Sequence, residues 1–482
     1  MFITKIELDD FNSRCYDREA VHINGNIIIK PFIFAFLSIG FAENVEAGEP
    51  HHMFGRLANP GFDGQPMKSV YFFAGQWRFF GPSFYDGVIP GVPILPASNA
   101  PCLYTVFPVM GGLHLGWSET KDKREPVLDL MIDAGVNVVN MSYWGPAGTD
   151  HWAFWAPMQT APGAYDELFD AAVDKSILIV PYIENVPPTM DIQQTGCERE
   201  IGPIGRSATG FNFLDDFPGK VGDPAPNLVE RIVHLVKRYI RAPANPAWPQ
   251  KWAQMYDREG KPRYVVSLLH VGSNQTGAND ETFAQAFTLV ADRVYAETGI
   301  SVGFTLDALP AVHNALFKPD PTTTGPLLAR QAAILAIQPF IPEVYTGLCL
   351  VGQNCDAVDG SPNLDALLAW KRQYIHDWVS TGLPVILDVS PGYDAHRVFG
   401  NSVRYGNNRA WRLGQSEMLS LGVRGITGNA WNAYTEGAAL VPSCGADRPE
   451  GPPGIVPCNE RGSDPSDDAY RWFQSLALLT TE

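Results

Sequence analysis

Short apolar segments rich in β-branched and aromatic residues alternate along the chain with amphipathic segments of helical period, from residue 104 to about residue 430. The predicted strands are YTVFPVM, VNVVNMSYW, ILIVPYIE, RYVVSLLH, ISVGFTLD, PFIPEVYTG, PVILDVS and VRGITGNAW. The predicted helices are REPVLDLMIDAG, AYDELFDAAVDK, NLVERIVHLVKRYI, ETFAQAFTLVADRVYAETG, PLLARQAAILAI, LDALLAWKRQYIHDWVSTG and GQSEMLSLG. Several of these helices are followed by a glycine, as at Gly135, Gly299 and Gly382. A glycine in this place is typical of a left-handed helix stop.

This alternation favours an α/β fold of the (β/α)8 TIM barrel type over an open doubly wound sheet, which usually has fewer strands. DDAYRWFQSLALL, near the end of the chain, is the candidate for the eighth helix. We predict a catalytic barrel over residues 104–445. An N-terminal extension, 48–103, is expected to pack on the barrel. Residues 446–482 are predicted to form a Pro/Gly-rich loop and a closing C-terminal helix.

The N-terminal residues 1–47 have the features of an export signal. Lys30 precedes PFIFAFLSIGFA, an apolar segment too short to span a bilayer, and VEAGEP follows it. Small or short side chains at Val45 and Ala47 predict cleavage between Ala47 and Gly48. The alternative is an ordinary buried helix. We therefore expect a secreted protein, extracellular or periplasmic, with no membrane span in its mature form.

Cysteine usage supports export independently. Removal of residues 1–47 takes away Cys15 and leaves an even set: Cys102, Cys197, Cys349, Cys355, Cys444 and Cys458. We expect all of these to be oxidised. Short loops favour the pairs Cys349–Cys355 and Cys444–Cys458, which leaves Cys102 with Cys197. The cysteines lack zinc-site spacing and the chain has no HExxH, so we predict neither a metal nor another cofactor.

The formal net charge of -17 is spread along the chain, and Lys and Arg form no run. Nucleic acid and anionic membrane surfaces are therefore poor candidate partners. The sequence leaves the oligomeric state open.

In a barrel of this type the chemistry lies at the C-terminal ends of the strands. The residues predicted at or after those ends are Tyr143, Trp144, Glu184, His270, Asp307, Glu343, Asp388 and Glu436. Carboxyl groups beside aromatic rings are what a sugar-cleaving cleft needs, because acids transfer protons and flat rings stack on sugars. Each acid has an alternative reading as a helix cap or an ion-pair partner. That reading fits Glu343 best, and His270 is also typical of a core histidine.

Four segments occur in the same order as in a known enzyme family: DAGVNVVNMSYWGPAG, AAVDKSILIVPYIE, ILDVSPGYDAHRV and ITGNAWNAYTEGAALVPS. Over residues 104–443 the chain resembles glycoside hydrolase family 99, the endo-α-mannosidases and endo-α-mannanases. In that family the corresponding strands end in Trp-Trp-Gly-type, His-Ile-Glu, Pro-Gly-Tyr-Asp and Asn-Glu-Trp-His-Glu-Gly motifs. The resemblance implies a polysaccharide or oligosaccharide substrate, cleaved at internal glycosidic bonds.

The resemblance also implies roles for individual residues. Glu436 matches the family glutamate that acts as general acid and then base, and Ala433 stands where the other family glutamate assists attack by the sugar 2-hydroxyl. Family 71 α-1,3-glucanases, a more distant resemblance, likewise have two acids three residues apart. The strand ends and the matching motifs together give the candidate substrate-binding residues Tyr143, Trp144, His270, Asp388, Tyr393, Asp394, Trp431 and Tyr434.

Three hypotheses explain Ala433. The chain is an inactivated variant, or it takes its second acid from Glu184 or Asp307, or it binds glycans without cutting them. We favour the second, because Glu184, Trp431 and the SPGYD segment are all retained. The apolar rings of Trp431 and Tyr434 would then raise the pKa of Glu436, as a general acid requires. An esterase or deacetylase is not supported, since the chain has no GxSxG motif and no metal-ligand cluster.

Overall fold

The structure, a computed structural model, describes residues 49–72, 106–108, 121–143, 164–184, 227–273, 277–308, 317–340, 362–394, 404–406, 409–431, 440, 443–445 and 469–480. All of them belong to one compact unit, Glu49–Glu482. The predicted leader 1–47 lies outside the described residues. So do the cysteines, except for the backbone of Cys444.

The strands in the described part of the chain are β1 Met67–Phe72, β2 Val106–Pro108, β3 Val138–Tyr143, β4 Leu178–Ile183, β5 Gln254–Tyr256, β6 Pro262–Leu268, β7 Val302–Leu306, β8 Ile334–Ile337, β9 Ile386–Val389, β10 Gly392–Asp394, β11 Arg404–Gly406, β12 Gly425–Gly428 and β13 Ser443–Gly445. The α-helices there are α1 Lys121–Asp133, α2 Ala164–Ala172, α3 Leu228–Val236, α4 Trp248–Lys251, α5 Asp280–Thr298, α6 Gly325–Leu328, α7 Pro362–Ser380, α8 Arg409–Glu417 and α9 Ala469–Leu479. A π-helical segment, Lys237–Arg241, continues α3, and a 3-10 segment, Met418–Leu421, continues α8.

Eight of these strands form a parallel sheet in the order β8-β7-β6-β4-β3-β1-β12-β9. The two ends of the sheet meet through a parallel bridge between Ile337 and Val385, where the Ile337 N–H donates to the Pro384 carbonyl at 2.8 Å. Strands such as β3 and β4 are buried along their whole length, as expected of parallel strands covered on both faces. The predicted TIM barrel is confirmed.

The first barrel strand predicted from sequence is wrong. The barrel strand is β1, MKSVYF, which pairs in parallel with β3 and β12 and lies within the predicted extension 48–103. The segment YTVFPVM contains β2, which instead pairs antiparallel with β13 in a separate two-stranded sheet. Both segments are short and apolar, and periodicity does not reveal which strands will be neighbours. The polar residues Lys68 and Ser69 also weaken the apolar signal of β1.

The sixth predicted strand is also displaced. PLLARQAAILAI was predicted to be a helix, but only Gly325–Leu328 is α-helical, and Ile334–Ile337 is the barrel strand β8. Alanine and leucine favour helix in isolation. Here pairing with β7 and complete burial between its neighbours outweigh that preference.

The helix boundaries follow local signals. Gly135, Gly299 and Gly382 have φ angles of 83°, 70° and 80°, which confirms the predicted left-handed helix stops. At the other ends, Asn227 and Asn279 form capping boxes that begin α3 and α5.

The C-terminal helix α9 takes the place predicted for the eighth barrel helix. Its Ala477 carbonyl accepts a hydrogen bond from Lys68 Nζ at 3.0 Å, and Gln474 Nε2 donates to the Asp133 carbonyl at 2.6 Å. The helix therefore packs beside β1 and α1 and completes the outer layer.

The barrel interior has three layers. At the N-terminal ends of the strands lies an apolar layer, formed by Leu57, Met67, Val138, Leu178, Val180, Ala253, Met255, Val265, Leu335, Ala336 and Ile386. Halfway up lies a ring of buried polar side chains, which we call the polar ring: Ser69, Asn140, Ser267, Thr305, Gln338 and Thr427. Nearest the C-terminal ends lies a mostly aromatic layer of Tyr71, Tyr182, Leu269, Phe340 and Ala430.

Gln338 connects the two sides of the polar ring. Its Oε1 accepts from Thr305 Oγ1 at 2.6 Å and from Ser267 Oγ at 3.1 Å. Its Nε2 donates to Thr427 Oγ1 at 2.8 Å and reaches Ser69 Oγ at 3.5 Å. One amide thus satisfies hydroxyls from four different strands, and the ring supports the layer above it.

Gln338→Leu is expected to lower the free energy of unfolding by about 2–4 kcal/mol, since buried hydroxyls lose an acceptor or donor that water cannot replace. Equilibrium denaturant unfolding measures the loss. Gln285→Leu, on the exposed face of α5, makes the same chemical change and should cost about 0.5 kcal/mol or less. Equal effects in the two variants would contradict a structural role for the ring.

Candidate active site

The residues that face the C-terminal mouth of the barrel follow from the strand period. Side chains two positions apart on a strand lie on the same face, so each residue two places after a polar-ring member faces inward, one layer nearer the mouth. These residues are Tyr71, Ser142, Leu269, Asp307, Phe340 and Asn429. Of the other predicted site residues, Glu184 directly follows β4, and Asp388, on β9, is the register partner of the polar-ring residue Thr427.

Glu184 follows β4 directly and is 7% exposed. Its Oε1 accepts a hydrogen bond from Ser142 Oγ on β3, and its backbone N–H donates to the Tyr143 carbonyl at 3.2 Å. A hydroxyl donor restricts the orientation of the carboxylate that accepts from it. The site therefore contains an oriented carboxylate.

A buried arginine stands beside Glu184. Arg231, on α3, is 1% exposed, and its Nη1 donates to the Glu184 carbonyl at 3.4 Å. Burial lowers the pKa of Arg231 to about 10, although nearby Tyr143 and Glu230 act in the opposite direction. Arg231 and Ser142 were not among the site residues predicted from the sequence. The signal for Arg231 was its place on the apolar face of α3, between Leu228 and Leu235.

Asp307 follows β7, and its side chain is completely buried. Its Oδ1 accepts from the Phe340 N–H at 2.9 Å, and its Oδ2 accepts from the His270 N–H at 3.0 Å. His270 Nδ1 lies 3.6 Å from the same Oδ2, and the His270 backbone is left-handed, with φ 54°. The carboxylate thus joins the segments that follow three neighbouring strands, β6, β7 and β8.

Asp388, on β9, is completely buried beside an equally buried Lys371 on α7, with 3.7 Å between Lys371 Nζ and Asp388 Oδ2. Burial lowers the pKa of Lys371 to about 8, and the attraction of Asp388 opposes that shift. Lys371 was not among the predicted site residues. An ion pair therefore supports this side of the mouth.

Two further residues at the mouth were missed. Tyr71 Oη is buried and has no hydrogen-bond partner within the described ranges, and its ring packs on Tyr182 and Phe340 with centroids 4.6 and 5.1 Å away. Burial raises the pKa of the Tyr71 hydroxyl, and the carboxylates of Asp388 and Asp307 raise it further.

Asn429 is the second missed residue, placed directly after β12. It is fully buried, and both polar atoms of its side chain lack a partner among the residues that the structure describes. Buried amides and hydroxyls without protein partners are groups that a ligand hydroxyl can satisfy. The alternation of inward-facing and outward-facing residues in MKSVYF and ITGN was the sequence feature that could have identified Tyr71 and Asn429.

Two predicted substrate-binding rings pack away from the mouth. Tyr143 is 4% exposed and meets Tyr165 of α2 edge-on at 5.5 Å, while Trp431 is fully buried and meets Tyr470 of α9 at 6.3 Å. The structure places both rings against helices of the outer layer. Their contact with substrate stays a prediction.

The structure describes only some of the remaining predicted site residues. Tyr393 is buried on β10, which pairs with β11, and only the backbone of Asp394 is described. Trp144, Glu343, Ala433, Tyr434 and Glu436 lie outside the described residues.

The described residues contain no group of three His, Cys, Asp or Glu side chains placed to hold a metal ion. In the same part of the chain, no helix has the length and hydropathy that a membrane span requires.

No family model and no curated protein matches the chain. Among solved structures it is similar to an endo-α-mannosidase of glycoside hydrolase family 99 from Bacteroides thetaiotaomicron, with 14% identity, coverage of 85% of this chain and 95% of that chain, and a TM-score of 0.46. A glycoside hydrolase-like protein shows 11% identity, coverage of 87% and 94%, and a TM-score of 0.47. The catalytic domain of the major endoglucanase from Xanthomonas campestris pv. campestris shows 11% identity, coverage of 89% and 99%, and a TM-score of 0.41. At these identities the similarity is one of fold.

Proposed function

We propose that this protein is a glycoside hydrolase that cleaves internal bonds of a polysaccharide by carboxylate acid-base catalysis. One observation carries the proposal: Glu184 and Asp307 directly follow two barrel strands, β4 and β7, at the C-terminal mouth of the barrel. That mouth is where TIM-barrel enzymes place their chemistry. The four segments that resemble glycoside hydrolase family 99 support the same function.

The proposed reaction needs two carboxyl groups. Glu436, protonated, gives its proton to the glycosidic oxygen as the bond to the anomeric carbon breaks, and the companion carboxylate either activates water or attacks that carbon. If the companion activates water, it takes the water's proton as the water attacks the anomeric carbon. If the companion attacks the carbon, deprotonated Glu436 takes the proton from the water that then displaces the companion from that carbon. The reaction consumes one water and leaves two shorter chains.

Glu184 is the better candidate for the companion acid. Its carboxylate accepts a hydrogen bond from a hydroxyl and the residue is 7% exposed, whereas both oxygens of Asp307 accept backbone N–H groups in complete burial. A carboxylate bound by two backbone amides is stabilised in its place and has less freedom to reach a substrate. We assign Asp307 the role of fixing the mouth.

The same geometry supports a recognition role for residues at the floor of the mouth. The hydroxyl of Tyr71 and the amide of Asn429 provide donors and acceptors of the kind that sugar hydroxyls bind.

The second candidate function is carbohydrate binding without cleavage, which the alanine at position 433 favours. An alanine there can neither accept nor donate a proton, so the paired-acid arrangement of the resembling family is incomplete. A binder would use the same mouth and the same polar floor.

The test is an assay of α-mannan, β-1,4-mannan, β-1,4-glucan and α-1,3-glucan for new reducing ends, with the product sizes measured. Internal cleavage gives a rapid fall in mean chain length with few monomers. Binding of one polysaccharide without new reducing ends would support the second candidate. A protein that neither binds nor cleaves any of these glycans would contradict both candidate functions.

Ala433→Glu distinguishes a missing acid from a replaced one. If the site lacks its second acid, the new carboxylate three residues from Glu436 should raise kcat. If Glu184 already serves, another negative charge in a partly desolvated site should lower kcat or the melting temperature. We expect the second result. Ala433→Gln, which adds the same bulk without charge, is the control, and a gain of activity in Ala433→Glu alone would reject our assignment.

We also infer export through the leader 1–47, because the apolar segment and the even cysteine set both indicate it. N-terminal sequencing of secreted protein should find Gly48 or a near neighbour, and a thiol assay in denaturant without reductant should find no free thiol. A secreted chain that begins at Met1 would be inconsistent with the leader, and two or more free thiols would be inconsistent with the pairing.

A further inference from the structure

Lys371 is a buried lysine beside the last residues of β9. It has no role in the proposed acid-base reaction. Both Lys371 and Asp388 have fully buried side chains. Taking two charges out of water is costly, and such a pair by itself is weak evidence for stability. This buried ion pair is therefore better explained by a geometry that it specifies than by a contribution to stability.

Gln415, on α8, links Lys371 to the backbone beyond β9. Its Oε1 accepts from Lys371 Nζ at 2.9 Å and from the Ser390 N–H at 3.0 Å, and its Nε2 donates to the Ser390 carbonyl at 2.8 Å. Trp411 Nε1 donates to the same carbonyl at 2.9 Å. Both backbone groups of Ser390 are thus bound by side chains of α8.

Lys371 and the Ser390 backbone favour the same orientation of the Gln415 amide. An ammonium group has donors only, so it can bind the amide oxygen and not the amide nitrogen. With Oε1 directed toward Lys371, Nε2 is left for the Ser390 carbonyl. The ammonium group therefore contacts both the Asp388 carboxylate and the side chain that binds the Ser390 backbone.

Ser390 is followed by Pro391 and Gly392 and then by Tyr393, which is predicted to bind substrate. We propose that Lys371 is a positioning residue that acts through Asp388 and Gln415 to hold residues 388–393 in the conformation that binds the polysaccharide. The inference rests on the proposed function, which it deepens by identifying what supports one wall of the site.

The experiment measures kcat and KM on the polysaccharide that the wild-type protein cleaves, or Kd if it binds without cleaving. Lys371→Met keeps the length of the side chain and removes the charge, and Gln415→Leu removes the amide. Each should raise KM or Kd about tenfold or more with a smaller change in kcat. A merely structural role lowers the folded fraction, which lowers apparent kcat and leaves KM unchanged.

Arg372→Met is the matched control. Arg372 is the next residue of α7 and forms an exposed ion pair with Glu417 of α8, with side chains 43% and 55% exposed. Arg372→Met also removes a positive charge between α7 and α8, but at an exposed position. It should leave KM and kcat at their wild-type values.

The double variant Lys371→Met/Asp388→Asn separates positioning from stability. Lys371→Met alone leaves a buried carboxylate without its cation and should lower the melting temperature by about 3–5 °C. The second change removes that charge, so the melting temperature should recover while KM stays high. Recovery of KM together with stability would overturn the proposal, as would an unchanged KM in Lys371→Met. A wild-type protein that neither cleaves nor binds any glycan overturns the proposed function itself.

Discussion

Glu436→Gln is expected to lower kcat by about 10²–10⁴-fold while affinity for the polysaccharide stays close to that of the wild type. Glutamine keeps the size of the side chain and can still accept and donate hydrogen bonds, but it has no proton to give to the leaving oxygen. Turnover is measured by reducing-end release, and affinity by isothermal titration with an oligosaccharide of the cleaved polymer.

Glu417→Gln is the control for that experiment, because Glu417 lies on the exposed face of α8 in an ion pair with Arg372. Its loss should change kcat less than about twofold, since exposed ion pairs contribute little. Turnover preserved in Glu436→Gln would remove Glu436 from the mechanism. Loss of binding together with turnover would indicate misfolding or a binding role.

The second large effect should separate the two candidate companion acids. We expect Glu184→Gln to lower kcat about 10²-fold or more with little change in melting temperature, because the amide oxygen can still accept from Ser142 Oγ. We expect Asp307→Asn to act mainly on stability. An asparagine presents one oxygen, so one of the N–H groups of His270 and Phe340 would face an NH₂ donor. An unmatched buried donor costs about 1–3 kcal/mol.

Both variants are compared by kcat on the cleaved polysaccharide and by equilibrium unfolding. A loss of turnover in Asp307→Asn that matches Glu436→Gln, with full stability, would reverse the assignment. Unimpaired hydrolysis in both variants would reject a companion acid from either strand.

Local sequence signals were sufficient for most of the helices and for most strand ends, although not for PLLARQAAILAI. Gly135, Gly299 and Gly382 adopt the left-handed conformation predicted for helix stops, since a glycine after an amphipathic segment is a property of a few neighbouring residues. Glu184 and Asp388 likewise lie at the strand ends where the apolar segments predicted them. Such features depend on contacts within one turn or one strand.

The barrel strands β1 and β8 were decided by tertiary pairing. MKSVYF and ILAI are short, and each becomes a strand because a parallel neighbour completes its hydrogen bonds and its burial. The sequence placed YTVFPVM and PFIPEVYTG there instead, because those segments have the stronger apolar β pattern. The periodicity of a segment does not reveal which strands, distant along the chain, will pair with it.

The sequence by itself determined the class of fold, the helix boundaries and the acids at the strand ends, because each depends on local conformation or on a run of similar residues. Only the tertiary structure decided which polar residues act together. Ser142 meets Glu184, Lys371 meets Asp388, and Gln338 joins four strands, in each case across a long separation in sequence. The physical reason is register: inside a closed barrel the neighbours of a polar side chain are set by the pairing of strands and the packing of helices, which no single segment encodes.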